Sequence, residues 1–243
     1  MTDLEANLRA VQERIAAAAR RAGRSPDGIT LVAVTKGQPV EVIAAAYDLG
    51  LRHFGENRVE EAETKVGRLP SDITWHMIGH IQSRKARRVA PLFQVVHSVD
   101  STRLARRLND SCAGRSEPLP VLLEVNVSGE ASKYGFHPGA DLLAAVEEIL
   151  TLPLLRLEGL MTMAPIVADQ EEARPIFARL RQLREELATT FPQGTWQHLS
   201  MGMSDDLEVA VEEGATLVRV GRAIFDPDRP PWGQCAILPP TED

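Results

Sequence analysis

Residues 31–58 read LVAVTKGQPVEVIAAAYDLGLRHFGENR, with a helical stretch between two short apolar runs. The runs 31–35 and 51–54 have the length of buried strands, and residues near 40–49 have helical spacing. Neighbouring parallel strands are joined by a crossover of a dozen or more residues, usually a helix. This stretch therefore predicts a strand–helix–strand unit of a parallel sheet.

The same alternation continues through the chain. An additional helix near residues 3–22 precedes it, with Asp3 as a candidate N-cap and Gly23 at its end. Apolar runs centre on 31–35, 51–54, 73–78, 94–98, 119–126, 156–162, 196–200 and 215–220. Helical stretches lie near 40–49, 57–67, 82–91, 101–110, 138–150, 169–189 and 204–213, and a short turn follows Gly221.

Strands that alternate with helices predict an α/β fold with a parallel sheet. Eight repeats in 243 residues favour a closed (β/α)₈ TIM barrel with an extra N-terminal helix, formed as a single domain over residues 1–243. An open doubly wound sheet is the alternative, although no GxGxxG follows the first run. We expect the proline-rich stretch 226–232 to be an irregular tail on the surface.

The composition and charge of the chain argue against nucleic acid as a partner. The chain is 44% hydrophobic and 25% charged, which is typical of a globular protein. Its net charge of −7 disfavours a nucleic-acid partner. The basic stretch 84–88 has no aromatic residues among its charges, so we interpret it as a solvated helix face.

Two cysteines, Cys112 and Cys235, form no CxxC motif and lack the histidine spacing of a zinc site. We therefore expect reduced thiols, no metal and a cytoplasmic location, although the sequence does not exclude a disulfide between them. The first residues carry acids and resemble no signal peptide, and no apolar run approaches the length that crosses a bilayer. We expect no membrane partner.

Lys36 ends the first apolar run, where a long amine is unusual because lysine is seldom buried without a partner. A lysine amine that is desolvated, or close to another cation, is a nucleophile able to form a Schiff base with an aldehyde. The alternative is that Lys36 simply emerges into solvent as the strand ends. The residues at the other strand ends favour the Schiff base.

Active sites of such barrels form at the carboxyl ends of the strands, and phosphate usually binds after strands seven and eight. Ser200 and Ser204 offer hydroxyl groups there, while Gly202 and Gly221 allow backbone N–H groups close to an anion. Ser204 is also a candidate N-cap for the helix that follows.

Arg219 lies in the last apolar run, where strand alternation separates it from Val218 and Val220. We expect the valines to face the helices and Arg219 to point into the barrel mouth. A buried guanidinium needs an acceptor. That acceptor is either a bound ligand or an acid at a strand end, with Glu56 and Asp100 as the candidates.

A Schiff-base lysine, a phosphate site and an inward arginine together match pyridoxal 5'-phosphate (PLP). Its aldehyde would meet Lys36, its phosphate the loops after strands seven and eight, and its ring nitrogen Arg219. The arrangement is consistent, because the first and last strands of a closed barrel are neighbours.

Seven segments in order resemble the pyridoxal phosphate homeostasis proteins, which are single-domain barrels similar to the N-terminal domain of bacterial alanine racemase. The segments are 31–36, 54–58, 75–82, 125–130, 159–163, 199–206 and 218–221. The resemblance covers nearly the whole chain.

This resemblance implies that Lys36 carries the cofactor and that Asn57 lies beside its ring. It also implies a phosphate site made by Ser200 and the backbone near Gly202, Gly221 and Arg222, with Arg219 at the ring nitrogen. Lys133 matches a second family lysine, for which a secondary cofactor contact is one interpretation and a solvated loop position the other.

The family further implies a carrier that takes part in intracellular PLP (vitamin B6) homeostasis, with PLP-dependent apo-enzymes as recipients and no assigned catalytic residue. An amino-acid racemase needs bases on both faces of the ring, and Lys36 is the one base that the sequence identifies. A small racemase-like PLP enzyme stays as the alternative, and a Schiff-base aldolase is a third hypothesis. We expect a monomer.

Overall fold

A computed structural model describes residues 4–130 and 133–226, which form a closed barrel of eight parallel strands in the order β1 to β8. β8 pairs with β1, with Thr30 opposite Leu217 and Ala33 opposite Val220. This pairing confirms the predicted TIM barrel, and the open doubly wound sheet was the wrong alternative. The strands are β1 (Thr30–Val34), β2 (His53–Glu56), β3 (Thr74–Met77), β4 (Val95–Val99), β5 (Leu119–Glu124), β6 (Leu155–Met161), β7 (His198–Ser200) and β8 (Leu217–Val220).

Helices follow the strands and cover the outside of the barrel. They are α1 (Leu4–Arg21), α2 (Val40–Asp48), α3 (Val59–Lys65), α4 (Ala86–Val89), α5 (Thr102–Ser111), α6 (Ala140–Ile149), α7 (Arg174–Thr190), α8 (Leu207–Glu212) and α9 (Arg222–Phe225). Short 3₁₀ helices extend three of the predicted helical stretches and a fourth precedes β1. Their bounds are Pro26–Gly28, Val66–Arg68, Ser83–Lys85 and Gln170–Ala173.

The extra N-terminal helix is confirmed as α1, which buries Leu8, Val11 and Ile15. It packs on the last part of the barrel, where Arg14 binds Glu208 of α8 with Nε and Oε1 2.6 Å apart. Past Arg21 the chain turns at Gly23, whose φ of 67° suits a residue without a Cβ. The candidate cap Asp3 lies outside the described residues.

Strand alternation sorts the apolar side chains into two groups. Those that face the helices form the large core, which includes Val218 and Val220 as predicted. A small cluster of Val32, Leu122, Met161 and Leu217 fills the barrel interior. Within each strand, residues an even number of positions away from a member of this cluster therefore also face the interior.

The predicted cap of the helix after β7 was wrong. α8 begins at Leu207 with Asp206 as its N-cap, two residues later than Ser204. The reason is a turn in which Asp206 Oδ1 accepts a hydrogen bond from the backbone N–H of Met203, 2.5 Å away. Ser204 Oγ instead accepts from the backbone N–H of Ala223 at 3.2 Å, which places it against the start of α9.

The basic stretch 84–88 lies across from α3 and makes ion pairs with its acids. Lys85 Nζ is 2.8 Å from Glu60, and Arg88 contacts both Glu60 and Glu63. This pairing fits the interpretation of the stretch as a solvated helix face.

The structure also bears on the predictions about membrane spans, cysteines and the C-terminal tail. Within residues 4–130 and 133–226, no helix has the length and hydropathy to cross a membrane. Cys112 is a buried free thiol, whereas Cys235 and residues 227–232 of the predicted tail lie outside the described residues.

Gly159 stands at a bulge in β6. The register with β5 shifts there, because Val121 pairs with Leu157 while Leu122 pairs with Gly159. Gly159 has a φ of 153°, and a Cβ at this position would lie 1.9 Å from the carbonyl oxygen of His198 in β7. Glycine is therefore required for β6 and β7 to pair at this point.

We expect Gly159→Ala to lower the free energy of unfolding by at least about 2 kcal/mol, because the backbone of β7 must move or the β6–β7 pairing must break. Urea unfolding measures the loss. Gly67→Ala is the matched control, since Gly67 has no left-handed φ and no atom within 4 Å of the added Cβ. Equal stability of the two variants would contradict the role given to Gly159.

Candidate functional site

Lys36 lies two residues past the end of β1, exposed at the rim formed by the carboxyl ends of the strands. The loops on either side belong to the neighbours of β1. The backbone N–H of Thr35 donates to the carbonyl of Gly55 in β2 at 3.0 Å. On the β8 side, a Cβ on Gly221 would lie 3.0 Å from the carbonyl oxygen of Val34. Lys36 is thus framed by the loops after β2 and β8.

A buried ion pair fixes the residue before Lys36. Lys65 Nζ of α3 donates to Glu56 Oε1 at 2.7 Å and to the Thr35 carbonyl at 2.9 Å. Thr35 Oγ1 donates to the same Glu56 oxygen at 2.6 Å. Burial raises the pKa of Glu56, and the hydrogen bonds from Lys65 and Thr35 oppose that rise. No sequence pattern predicts this pair, because Lys65 resembles any other helical lysine.

Arg219 is 5% exposed and points into the barrel, as alternation predicted. Its Nη1 donates to Ser200 Oγ at 2.6 Å and its Nη2 to the Thr162 carbonyl at 3.0 Å. Burial lowers the pKa of Arg219 to about 10, against the opposing charges of Asp206 and Glu124, so it stays charged at neutral pH.

The predicted alternative of an ion pair with a strand-end acid was wrong for both candidates. Glu56 faces outward and pairs with Lys65, whereas Asp100 pairs with His80 at 2.8 Å. Among the described residues, the recorded acceptors of Arg219 are a hydroxyl and a carbonyl, both neutral. Within the described part of the chain, no carboxylate is therefore hydrogen-bonded to this charge.

Ser200 continues into a row of histidines that crosses the barrel. His97 Nδ1 is 2.8 Å from Ser200 Oγ, although β4 and β7 are not neighbours in the sheet. The contact must therefore pass through the interior. His97 Nε2 is 2.9 Å from His76 Nδ1, and His76 Nε2 is 3.0 Å from His53 Nδ1.

These three imidazoles are neutral. Burial lowers the pKa of His76 to about 3, with smaller contributions from His53 and His198. Burial also lowers the pKa of His97 well below its usual range, helped by His76 and Arg219, and lowers that of half-buried His53. This row of histidines, which we call the histidine chain, was not predicted from the sequence. The sequence feature that could have indicated it is a histidine at an inward position in each of three apolar runs.

The loops predicted to bind phosphate meet beside Arg219. The carbonyl of Gly202 accepts from the backbone N–H of Arg219 at 3.0 Å. Arg222, the first residue of α9, forms an ion pair with Asp205. Ser204 and Arg222 also line a surface cavity of about 500 Å³. The hydroxyl of Ser200, by contrast, is fully buried and engaged by Arg219 and His97.

Asn57 lines a larger cavity of about 630 Å³, together with Gly79 and His80. The loops after β2 and β3 touch here, since a Cβ on Gly79 would lie 2.3 Å from the Asn57 carbonyl oxygen. This cavity lies beside the rim, and Lys36, Ser200 and Arg219 are not among its lining residues. The structure therefore places the predicted residues on one rim, in separate environments.

Glu124, at the end of β5, has the inward parity of Leu122 and is 4% exposed. Burial raises its pKa to about 7, helped by the charge of Asp100 and opposed by Arg219. Glu124 Oε2 and Asn57 Oδ1 are buried, and neither has a hydrogen-bond partner among the described residues. Buried polar atoms are seldom left unpaired, so both fit a site completed by a polar ligand.

Lys133 and the two tyrosines of the chain, Tyr47 and Tyr134, make contacts with other residues of the chain. Lys133 Nζ is 3.0 Å from Glu130 and 3.2 Å from the Met163 carbonyl. Tyr134 stacks on His80, with ring centroids 3.9 Å apart. Tyr47 donates its hydroxyl to Asp72, just before β3 and so at the opposite end of the barrel.

Comparison with protein families identifies one that matches almost all of the chain. The model of the alanine racemase N-terminal domain matches residues 6–227. Among curated relatives, a pyridoxal phosphate homeostasis protein of Pseudomonas aeruginosa is 46% identical over 226 residues, covering 93% of this chain and 96% of the relative. One of the same name from Escherichia coli K12 is 44% identical over 234 residues, covering 93% and 97%.

Among solved structures, PipY of Synechococcus elongatus with PLP bound superposes with a TM-score of 0.77 and 39% identity. The match covers 88% of this chain and 99% of PipY. The barrel therefore has the same architecture as a protein whose structure contains PLP.

The histidine chain makes the stability of the barrel depend on pH. In the unfolded chain His76 binds a proton near its ordinary pKa of 6.5, whereas in the fold it does so near 3. Below pH 6.5 the unfolded state thus holds more protons, and stability falls as the pH falls.

Relative to His76→Gln, which keeps a donor and an acceptor without titrating, we expect the native chain to lose about 1.4 kcal/mol for each pH unit between 6.5 and 3. Urea unfolding across this range measures the difference. Glu124, whose pKa is raised in the fold, has the opposite effect on the pH dependence of stability, but it is present in both proteins and cancels in the difference. His137→Gln, at an exposed position, is the control and should leave the native slope unchanged. Parallel pH profiles for His76→Gln and the native chain would show that His76 is charged in the fold.

Proposed function

This chain belongs to the pyridoxal phosphate homeostasis protein family, and we propose that it holds PLP as a Schiff base on Lys36 and takes part in intracellular PLP homeostasis. When bound, PLP supplies an aldehyde that condenses with an amine and releases water. The observation that carries the proposal is the position of Lys36 between the loops after β2 and β8, with Arg219 on the neighbouring strand.

The choice of lysine follows from where the chain places its four lysines. Lys65 is buried on the outer side of the sheet, in the ion pair with Glu56. Lys85 pairs with Glu60 beside α3, and Lys133 pairs with Glu130 after β5. Lys36 is the lysine that directly follows a barrel strand, which favours it as the amine.

The unpaired buried atoms support a polar ligand in this place. Asn57 Oδ1 follows β2, next to the loop of Lys36, and Glu124 Oε2 ends β5. Arg219 presents a positive charge held by two neutral acceptors, which suits an unprotonated ring nitrogen as a further acceptor. An unprotonated ring withdraws electrons weakly, so this arrangement favours a carrier over carbanion chemistry.

We assign the phosphate to the loops after β7 and β8. Gly202 and Ser204 follow β7, whereas Gly221 and Arg222 follow β8, the strand that carries Arg219 and pairs with β1. The hydroxyl of Ser200 is engaged with Arg219 and His97, so its side chain supports the arginine, and a phosphate contact from Ser200 requires that this hydroxyl change partner.

The proposal includes a single functional domain over residues 1–243, a cytoplasmic monomer and transfer of PLP to apo-enzymes that need it. The support is the family itself, together with the high identity to homeostasis proteins along 93% of this chain. Within this proposal Lys133 is a structural residue, since its amine is bonded to Glu130 and Met163.

An amino-acid racemase-like activity is the second candidate, and Glu124 is the observation that favours it. A carboxyl group with a pKa of about 7 at the mouth exchanges protons near neutral pH. Incubation of the PLP-loaded chain with L-alanine tests it by chiral chromatography. D-alanine that disappears with Glu124→Gln supports this candidate, whereas no turnover leaves the carrier.

We expect Lys36→Ala to abolish the covalent PLP adduct without unfolding the barrel, because Lys36 is exposed and follows the strand. The protein is incubated with PLP, reduced with borohydride, digested and analysed by mass spectrometry. Native protein should carry the pyridoxyl mass on the peptide that contains Lys36.

Lys133→Ala is the matched control and should keep the adduct. An adduct on Lys133 in native protein, or one that survives Lys36→Ala, would assign the Schiff base elsewhere. Circular dichroism of both variants separates loss of the amine from loss of the fold.

A further inference from the structure

The histidine chain is the feature of the barrel that the proposed function does not use. Barrel interiors are normally filled by branched apolar side chains. Here His53, His76 and His97 occupy inward positions of three successive strands and form hydrogen bonds of 2.9 and 3.0 Å. Burial of polar groups is tolerated when each has a partner, and such fully bonded networks fix one arrangement of the core.

The arginine sets the direction of these bonds. A guanidinium has donors and no acceptor, so Ser200 Oγ must accept from Arg219. Ser200 Oγ has a second lone pair, but its buried hydroxyl proton also needs an acceptor, and among the described residues His97 Nδ1 is the group within reach, so the proton points to Nδ1. His97 therefore carries its own proton on Nε2.

The direction of this bond determines the direction of the next two in the histidine chain. The Nε2–H of His97 donates to His76 Nδ1, so His76 also carries its proton on Nε2 and donates to His53 Nδ1. All three rings share one tautomer and remain neutral. The lone pair of His97 also points toward the cationic end of the chain, which is the electrostatically favoured direction.

We infer that the histidine chain positions Arg219, because His97 Nδ1 accepts the hydroxyl proton of Ser200 and so turns the lone pairs of Oγ toward Nη1 of the arginine. Without His97, the Ser200 hydroxyl is free to rotate and to compete with Arg219 for a ligand acceptor. His97 and Ser200 are thus positioning residues for the arginine end of the site. This inference rests on the proposed function where it concerns PLP.

One consequence can be measured without PLP. Long-range proton–nitrogen NMR of ¹⁵N-labelled native protein at neutral pH distinguishes the two neutral tautomers of each ring. We expect the Nε2–H form for His53, His76 and His97, with signals assigned by single His→Gln substitutions. The Nδ1–H form at His97 would mean that the chain runs in the opposite direction, and would overturn the inference.

The second measurement concerns retention of PLP. We expect His97→Leu to release PLP about tenfold faster than native protein in a dialysis or apo-enzyme trapping assay, which corresponds to the loss of about one net hydrogen bond. His97→Asn places an amide oxygen near the position of Nδ1, so it should restore most of the native rate. A purely steric role for His97 would leave both variants impaired.

Ser200→Ala completes the test, because His97 acts through this hydroxyl. The double variant His97→Leu with Ser200→Ala should release PLP no faster than Ser200→Ala alone. Additive effects would refute the coupling. Circular dichroism and urea unfolding show that each variant keeps its fold.

The outcomes separate this inference from the proposed function. If native protein carries the adduct on Lys36 but His97→Leu releases PLP at the native rate, the positioning role is refuted and the carrier function stands. If no lysine carries PLP, the proposed function fails, and the positioning of Arg219 still stands or falls on the tautomer of His97.

Discussion

Pairing of β8 with β1 is the constraint on which the rest of the site depends. It closes the sheet and sets Arg219 directly opposite Val32, four residues before Lys36. A closed barrel leaves no free edge, so neither strand can slip without breaking the register of its neighbours. Backbone hydrogen bonds thereby hold the strand of Arg219 beside the strand that leads into the Lys36 turn.

The polar interior follows from the charge of Arg219. A buried guanidinium is costly without acceptors, and the barrel supplies Ser200 and the carbonyl of Thr162. The hydroxyl of Ser200 in turn needs an acceptor for its proton, and the histidine chain supplies it. Each buried polar group thus needs a hydrogen-bond partner in the next one, and the histidine chain ends at His53, which is half-buried.

The fold and the strand-end residues were predictable from the sequence because they depend on local patterns. Alternation gave the eight strands, and it also gave the inward direction of Arg219, since side-chain parity is a property of the strand itself. Helix starts were less accurate. The side chain of Asp206 bonds back to Met203 and delays α8, and this choice between Ser204 and Asp206 depends on the contact of Ser204 with α9.

Contacts between distant segments were not predictable. Lys65 meets Glu56 and Thr35 only after α3 packs on the sheet, and His97 meets Ser200 across 103 residues of sequence. No local pattern encodes either partner. The choice between a ligand and a strand-end acid as the acceptor of Arg219 stayed open for the same reason, because the sequence shows which strand ends carry acids but not which acids are already engaged.

The small number of lysines has a further consequence for a protein that would store a reactive aldehyde. Four of the 27 basic residues are lysines, and Lys65, Lys85 and Lys133 are each tied to a glutamate. The remaining positive charge is carried by arginine, whose delocalised guanidinium is a poor nucleophile. The chain thus forms most of its ion pairs with groups that do not condense with an aldehyde, and few amines compete for the cofactor.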